Sequence, residues 1–247
     1  MAFRHFTSKR PLLLATDLDG TFLGGSPEDR HRLYSLINEH RSSVYLVFCT
    51  GRSHANVQPL FKAFGLPKPE LMICDVGTSI IGQQGDTSYD DLQQDIVRRW
   101  GDGHDAVARL LHDLPLTLQT GTGPWRRSYL YEDVTVALEA KARVETVGLD
   151  GLLSDNLYFD VLPRKVNKGS TLMQVVYRLG FAYNDVLVAG DTLNDLSMLT
   201  CGLPAVAVAN AEQQLMASLP QHPKIFIASQ PGAAGILEAI SHHPALN

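Results

Sequence analysis

The sequence predicts an α/β fold: a doubly wound parallel sheet, interrupted by a smaller inserted α+β segment. Three observations carry that expectation. Short apolar runs alternate with helical stretches over residues 1–81 and again over 164–247. The rhythm breaks over residues 82–163, where the composition is more polar. Two acidic motifs, Asp17-Leu18-Asp19-Gly20-Thr21 and Gly190-Asp191-Thr192-Leu193-Asn194-Asp195, each stand directly behind an apolar run. Ligands of open α/β sheets bind beyond the carboxyl ends of the strands, so both motifs belong to one site.

Each element follows from its residues. Leu12 to Thr16 reads as the first strand. Ser26 is an N-cap candidate before Pro27, and a helix follows to His40. Val44 to Cys49 is the second strand. His54 to Phe64 is a helix, with Val57, Leu60, Phe61 and Phe64 at helical spacing and Gly65 as its stop. Leu71 to Cys74 is the third strand. Strands and helices alternating at these lengths give a parallel sheet covered on both faces. Within the insert, Asp90 to Trp100, His104 to Leu111 and Thr135 to Val147 read as helices. Arg127 to Tyr131 and Leu157 to Val161 read as strands. Beyond it come a helix from Gly169 to Leu179 stopped by Gly180, strands at Val186 to Ala189, Leu203 to Ala209 and Ile225 to Ala228, and a closing helix from Ala233 to Ile240. The expected core is therefore discontinuous, 1–81 with 164–247, and residues 82–163 form a second, smaller domain.

Composition narrows the function. The 247 residues are 45% apolar, ample for a buried core. A net charge of −5 gives no electrostatic case for nucleic acid or an anionic membrane. Arg4, Lys9 and Arg10 read as a solvated end, because the apolar run after them is too short for a signal peptide or a membrane span. Cys49, Cys74 and Cys201 are scattered and lack a C-x-x-C pair. They read as reduced, structural thiols of a cytoplasmic protein. The nine histidines show no metal-ligand spacing, and His242 and His243 are expected at the surface.

Two acids two apart at a strand tip point the same way. Such carboxylates repel and resist desolvation unless a cation or proton intervenes. A metal-dependent phosphoryl-transfer site supplies that cation. Asp17 is the candidate nucleophile, forming an aspartyl-phosphate. Asp19 would protonate the leaving alkoxide and then deprotonate water. Mg²⁺ takes carboxylates, waters and phosphate oxygens, so Asp17, Asp191 and the Asp19 carbonyl form a candidate ligand set. Asp195 and Asn194 are candidates for further ligands, water holders or phosphate contacts. Lys168 offers a fixed positive charge and Thr50 a hydroxyl donor for phosphoryl oxygens.

These residues resemble the motifs of the haloacid dehalogenase superfamily. Asp17 to Thr21 is similar to its first motif, Thr50 to its second, Lys168 to its third and Gly190 to Asp195 to its fourth. The resemblance implies a Rossmann-like core and an inserted α/β cap that closes over the site and selects the substrate. A narrower resemblance, to sucrose-phosphate phosphatases, rests on further strings. They are Thr50-Gly51-Arg52-Ser53, Val76-Gly77-Thr78, Pro124-Trp125 with Ser128-Tyr129, Asp160 to Pro163 with Asn167-Lys168-Gly169, and Gly235 to Ile240. It implies sugar-phosphate contacts from Gly51, Arg52, Gly77, Thr78, Ser79, Trp125, Arg127 and Asn194. Trp125 reads either as a sugar-stacking platform or as cap core. The family pattern after Val-Gly is Ser-Glu-Ile-Tyr, with the glutamate on sugar hydroxyls, whereas this chain has Thr78-Ser79-Ile80-Ile81. Mannosylfructose phosphate, a glycosylglycerol phosphate and simple hexose phosphates therefore stand beside sucrose phosphate as substrates. A sugar phosphomutase, or a non-catalytic sugar-phosphate-binding domain partnering a glycosyltransferase, are the rival readings.

Overall fold

The computed structural model describes residues 11–243. Arg4, Lys9 and Arg10 lie outside the described residues. The chain first alternates strands and helices: β1 (Leu12–Thr16), α1 (Pro27–Glu39), β2 (Val44–Cys49), α2 (His54–Phe64), β3 (Leu71–Cys74) and β4 (Ser79–Ile81). The insert carries α3 (Asp90–Trp100), α4 (Gly103–Leu110), β5 (Thr117–Leu118), β6 (Arg127–Leu130), α5 (Val134–Glu145), β7 (Leu149–Ser154) and β8 (Tyr158–Pro163). Then follow α6 (Lys168–Leu179), β9 (Val186–Gly190), α7 (Leu196–Leu199), β10 (Ala205–Ala207), α8 (Gln213–Ser218), β11 (Ile225–Ile227) and α9 (Gly232–His242).

The larger sheet has seven strands in the order β11-β10-β9-β1-β2-β3-β4. All pairs are parallel except β3 with β4, an antiparallel edge that the sequence reading did not anticipate. β1 shows why the fold is doubly wound. Its residues are all buried, and their side chains alternate between two cores. Leu12 and Leu14 join Leu33, Ile37, Ile236 and Ile240 on one face. Leu13 and Ala15 join Leu172, Val175, Val176 and Met198 on the other. Burying one such aliphatic side chain contributes roughly 1.5–3 kcal/mol, so the central strand is the best-anchored element. The helix ends follow the local signals. Ser26 Oγ accepts from the Asp29 N–H at 3.1 Å, capping α1. Gly65 and Gly180 close α2 and α6 in the left-handed conformation.

The smaller sheet has four antiparallel strands, β5-β6-β8-β7. One face packs Tyr129, Phe159 and Val161 against Ala137, Ala140 and Val144 of α5. α3 touches both cores: Ile96 packs under the large sheet and Trp100 under the small one. β5, β7, α7 and α8 had no clear sequence signal. β5 has only two residues, α7 only four, and β7 carries Asp150 and Gly151 inside it. His243, expected at the surface, is buried at 3% exposure, with its Nε2 3.1 Å from the Val186 carbonyl. Burial draws its imidazole below the ordinary range.

Candidate active site

β1 and β9 are neighbours, with Thr16 beside Ala189, yet the chain leaves them for opposite halves of the sheet. Their carboxyl ends therefore form the crevice where such sheets bind ligands. Asp17 follows β1 and Asp191 follows β9. Asp195 lies one turn on, and Lys168 opens α6 beside them. Lys168 is fully buried and donates to Asp17 Oδ1 at 2.6 Å and to Asp195 Oδ1 at 2.7 Å. The other Asp195 oxygen accepts from the N–H groups of Asp191 and Thr192 at 2.9 and 3.0 Å. Thr21 Oγ1 donates to Asp191 Oδ1 at 2.6 Å. Gly20 makes this closure possible. Its φ is +77°, and a Cβ there would stand 2.0 Å from Asp191 Oδ2.

Three carboxylates face one ammonium, and all are buried. Oxygens of Asp17, Asp191 and Asp195 lie within 4.8 Å of one another. Burial pushes the Asp17 carboxyl well above its ordinary range, and Lys168 only partly opposes it. Burial, then repulsion from Asp195, pushes Asp191 up to about 7. Burial works to lower the Lys168 ammonium, but Asp17 and Asp195 outweigh it and hold the charge in place. The excess negative charge calls for a proton or a cation. A compact all-oxygen set of this kind fits a hard divalent ion such as Mg²⁺.

A cleft of about 460 Å³ opens above this cluster. Asp17, Asp19, Gly51, Arg52 and Asn194 line it from the large sheet. The polar face of the small sheet roofs it. Ser128 on β6 pairs with Asp160 on β8, and Ser154 on β7 pairs with Tyr158, and all four line the cleft. Gln119, Thr120 and Thr122 complete that wall. Thr50 is fully buried at the end of β2, its Oγ1 accepting from the Arg52 N–H at 3.1 Å. The Asp19 side chain stands apart from the buried acids. It is half exposed and paired with Arg52.

Five residues expected at the ligand are outside this cleft lining. Gly77 has φ +103°, and a Cβ there would come within 2.4 Å of the Asn167 carbonyl carbon. It lets α6, and so Lys168, approach the large sheet. Thr78 is buried, its Oγ1 donating to the Asp75 carbonyl. Ser79 is buried on the edge strand and hydrogen-bonds to the Asp75 carboxylate. Trp125 packs against both hydrophobic cores. Arg127 donates to the Tyr129 hydroxyl at 2.6 Å and to the His104 carbonyl at 3.1 Å, outside the cleft lining.

Its neighbour Arg126 does line the cleft. This buried guanidinium donates to Asp160 Oδ1 and to the Gly51 carbonyl, both at 2.7 Å, with Nε 3.2 Å from Asp75 Oδ1. Sequence reasoning missed Arg126 and the roles of Asp75 and Asp160. A carboxylate inside the apolar strand Tyr158-Phe159-Asp160-Val161 was the available signal.

The family model described as sucrose-6F-phosphate phosphohydrolase matches residues 10–244. The chain is 40% identical, over 94% of its length, to a glucosylglycerol-phosphate synthase of Pseudomonas anguilliseptica. It is 30% identical, over 96% of its length, to sucrose-phosphatase 1 of Nicotiana tabacum. It spans 30% of the first relative and 60% of the second. A mannosylfructose-phosphate phosphatase of Agrobacterium fabrum matches at 27% identity over 94% of this chain and 97% of its own. Among solved structures, the sucrose-phosphatase of Synechocystis in complex with sucrose and phosphate superposes with a TM-score of 0.87 at 27% identity, covering 95% of this chain and 98% of that one. A haloacid dehalogenase-like hydrolase of Bacillus subtilis shares the fold at a TM-score of 0.67 and 17% identity, covering 96% and 93%. With its two sheets, its acidic crevice and a family match over nearly its whole length, the chain belongs to the sucrose-6F-phosphate phosphohydrolase family.

Proposed function

We propose that the protein hydrolyses the phosphate monoester of a small neutral glycoside, with Asp17 as nucleophile. The observation that carries this reading is the buried Asp17–Lys168–Asp195 array beside Asp191, at the floor of a cleft roofed by hydroxyl and amide side chains. In the first step an Asp17 oxygen bonds to phosphorus and the bond from phosphorus to the sugar oxygen breaks. The sugar oxygen takes the proton carried by the Asp19 carboxyl and leaves as an alcohol. In the second step Asp19 takes a proton from water as the water oxygen bonds to phosphorus. The bond from phosphorus to Asp17 breaks, inorganic phosphate leaves, and Asp19 again carries its proton. Lys168 holds Asp17 in place throughout and offsets charge on the phosphoryl oxygens. Mg²⁺, held by Asp17, Asp191 and the Asp19 carbonyl with Asp195 beside them, would neutralise phosphoryl charge when bound.

Glucosylglycerol phosphate leads the substrate list, supported by the 40% identity to a synthase named for that compound. Sucrose 6-phosphate and mannosylfructose phosphate follow, supported by the other relatives. A cytoplasmic setting is supported by three unpaired cysteines. No helix among the described residues is long and apolar enough to cross a membrane. Phosphate release from glucosylglycerol phosphate, with Asp17→Asn as control, tests the reading. Activity surviving in Asp17→Asn would refute it.

A further inference from the structure

The setting of Asp19 points to a second residue in the same reaction, and the inference rests on the phosphatase reading above. Both oxygens of the Asp19 carboxylate accept from Arg52, Nε to Oδ2 at 2.6 Å and Nη2 to Oδ1 at 2.7 Å. The two side chains are 52% and 39% exposed. At that exposure solvent screens most of an ion pair's contribution to stability, so stability does not account for the fork. The backbone around Arg52 is anchored on three sides. Its N–H donates to Thr50 Oγ1 at 3.1 Å, and its carbonyl accepts from the Asp75 N–H at 2.9 Å. The preceding carbonyl, of Gly51, accepts from buried Arg126, which also holds Asp160 of the small sheet. Asp19, by contrast, is exposed, just ahead of Gly20, and among the described residues its carboxylate accepts side-chain hydrogen bonds from Arg52 alone.

We propose that Arg52 is the positioning residue for Asp19. The planar guanidinium fixes the plane of the carboxyl and occupies one lone-pair direction on each oxygen. Both residues line the cleft. As the bond from phosphorus to the sugar oxygen breaks, the Asp19 proton passes to that oxygen. A carboxyl free to rotate would be aligned for the transfer only part of the time.

The leaving group separates this role from phosphate binding. A glycosyl or alkyl phosphate expels an alkoxide, which needs a proton. p-Nitrophenyl phosphate expels a stabilised phenolate, which does not. Arg52→Ala is expected to lower kcat/KM about 10²-fold on glycerol phosphate or glucosylglycerol phosphate and only a few-fold on p-nitrophenyl phosphate. Asp19→Asn should show the same selectivity more strongly, and Arg52→Lys should recover part of the loss. Equal losses of Arg52→Ala on both substrates, or none on either, overturn the proposal. If Asp19→Asn lowers both substrates equally, the acid role of Asp19 fails, and the role of Arg52 with it. Selectivity in Asp19→Asn without selectivity in Arg52→Ala overturns Arg52 alone.

Discussion

The floor of the cleft is buried charge, and its roof is mostly hydroxyl and amide and partly exposed. On the floor, Asp17, Lys168, Asp191 and Asp195 lie at 0–6% exposure and fix one another through hydrogen bonds of 2.6–2.9 Å. In the roof, Gln119 and Tyr158 are half-buried and Thr120 is exposed. Of the roof's charged groups, Arg126 and Asp160 are paired with each other, and Asp155 is exposed at the rim. The difference separates two tasks. A buried array that a few atoms would disrupt suits one reaction on one invariant group. A hydroxyl and amide surface suits ligands that differ in hydroxyl pattern, and it changes without disturbing the chemistry.

The separation makes its strongest demand at Asp17. Asp17→Asn should lower turnover by about 10⁴-fold or more on every phosphate ester, with an unchanged circular dichroism spectrum. Lys168→Ala tests the cohesion of the floor. It strips the buried ammonium from three buried acids and should cost about 3–5 kcal/mol of stability, read by urea unfolding. A loss no larger than that of a roof substitution would break the contrast.

The floor should also make stability depend on pH and on the divalent ion. Asp191 titrates near 7 in the folded protein, against 3.8 for the free side chain. Between those values the unfolded Asp191 binds fewer protons than the folded one, so its contribution to stability falls as pH rises through the window. Metal-free protein should therefore show a falling Tm from pH 4 to 7. Mg²⁺ should raise Tm most at the upper end. A Tm independent of Mg²⁺ above pH 7 would count against the floor as the ion's site.

The smallest effects belong to the roof. Tyr158→Phe and Gln119→Ala should each raise KM for the glycosyl phosphate by about 5–10-fold, the scale of one neutral hydrogen bond. KM for p-nitrophenyl phosphate should not change. Equal shifts on both substrates would place these residues at the phosphate instead of the sugar.

The same contrast explains what could be read from the chain. The acids of the floor sit within a few residues of strand ends, so two short motifs located Asp17, Asp191 and Asp195. Apolar alternation located the central strands around them. The roof is assembled from β6, β7, β8 and the loop at Gln119 to Thr122, and its residues come together only after antiparallel pairing sets Ser128 beside Asp160 and Ser154 beside Tyr158. Local sequence carries no such register. Arg126, just ahead of β6, lines the cleft, whereas the residue chosen from the sequence, Arg127, lies outside its lining. Gly77 and Thr78 stand inside a matching string, and Ser79 just past it, but all three belong to the packing that seats Asp75 and Lys168.

The most direct test of this division of labour is phosphate release, with and without Mg²⁺, from glucosylglycerol phosphate, sucrose 6-phosphate, mannosylfructose phosphate and simple hexose phosphates, run in parallel on the wild type, Asp17→Asn and Tyr158→Phe. The account predicts Mg²⁺-dependent release favouring one glycoside phosphate, abolished for all substrates by Asp17→Asn, with Tyr158→Phe changing only the preference. Release that survives Asp17→Asn, or no release from any member of the panel, would contradict it.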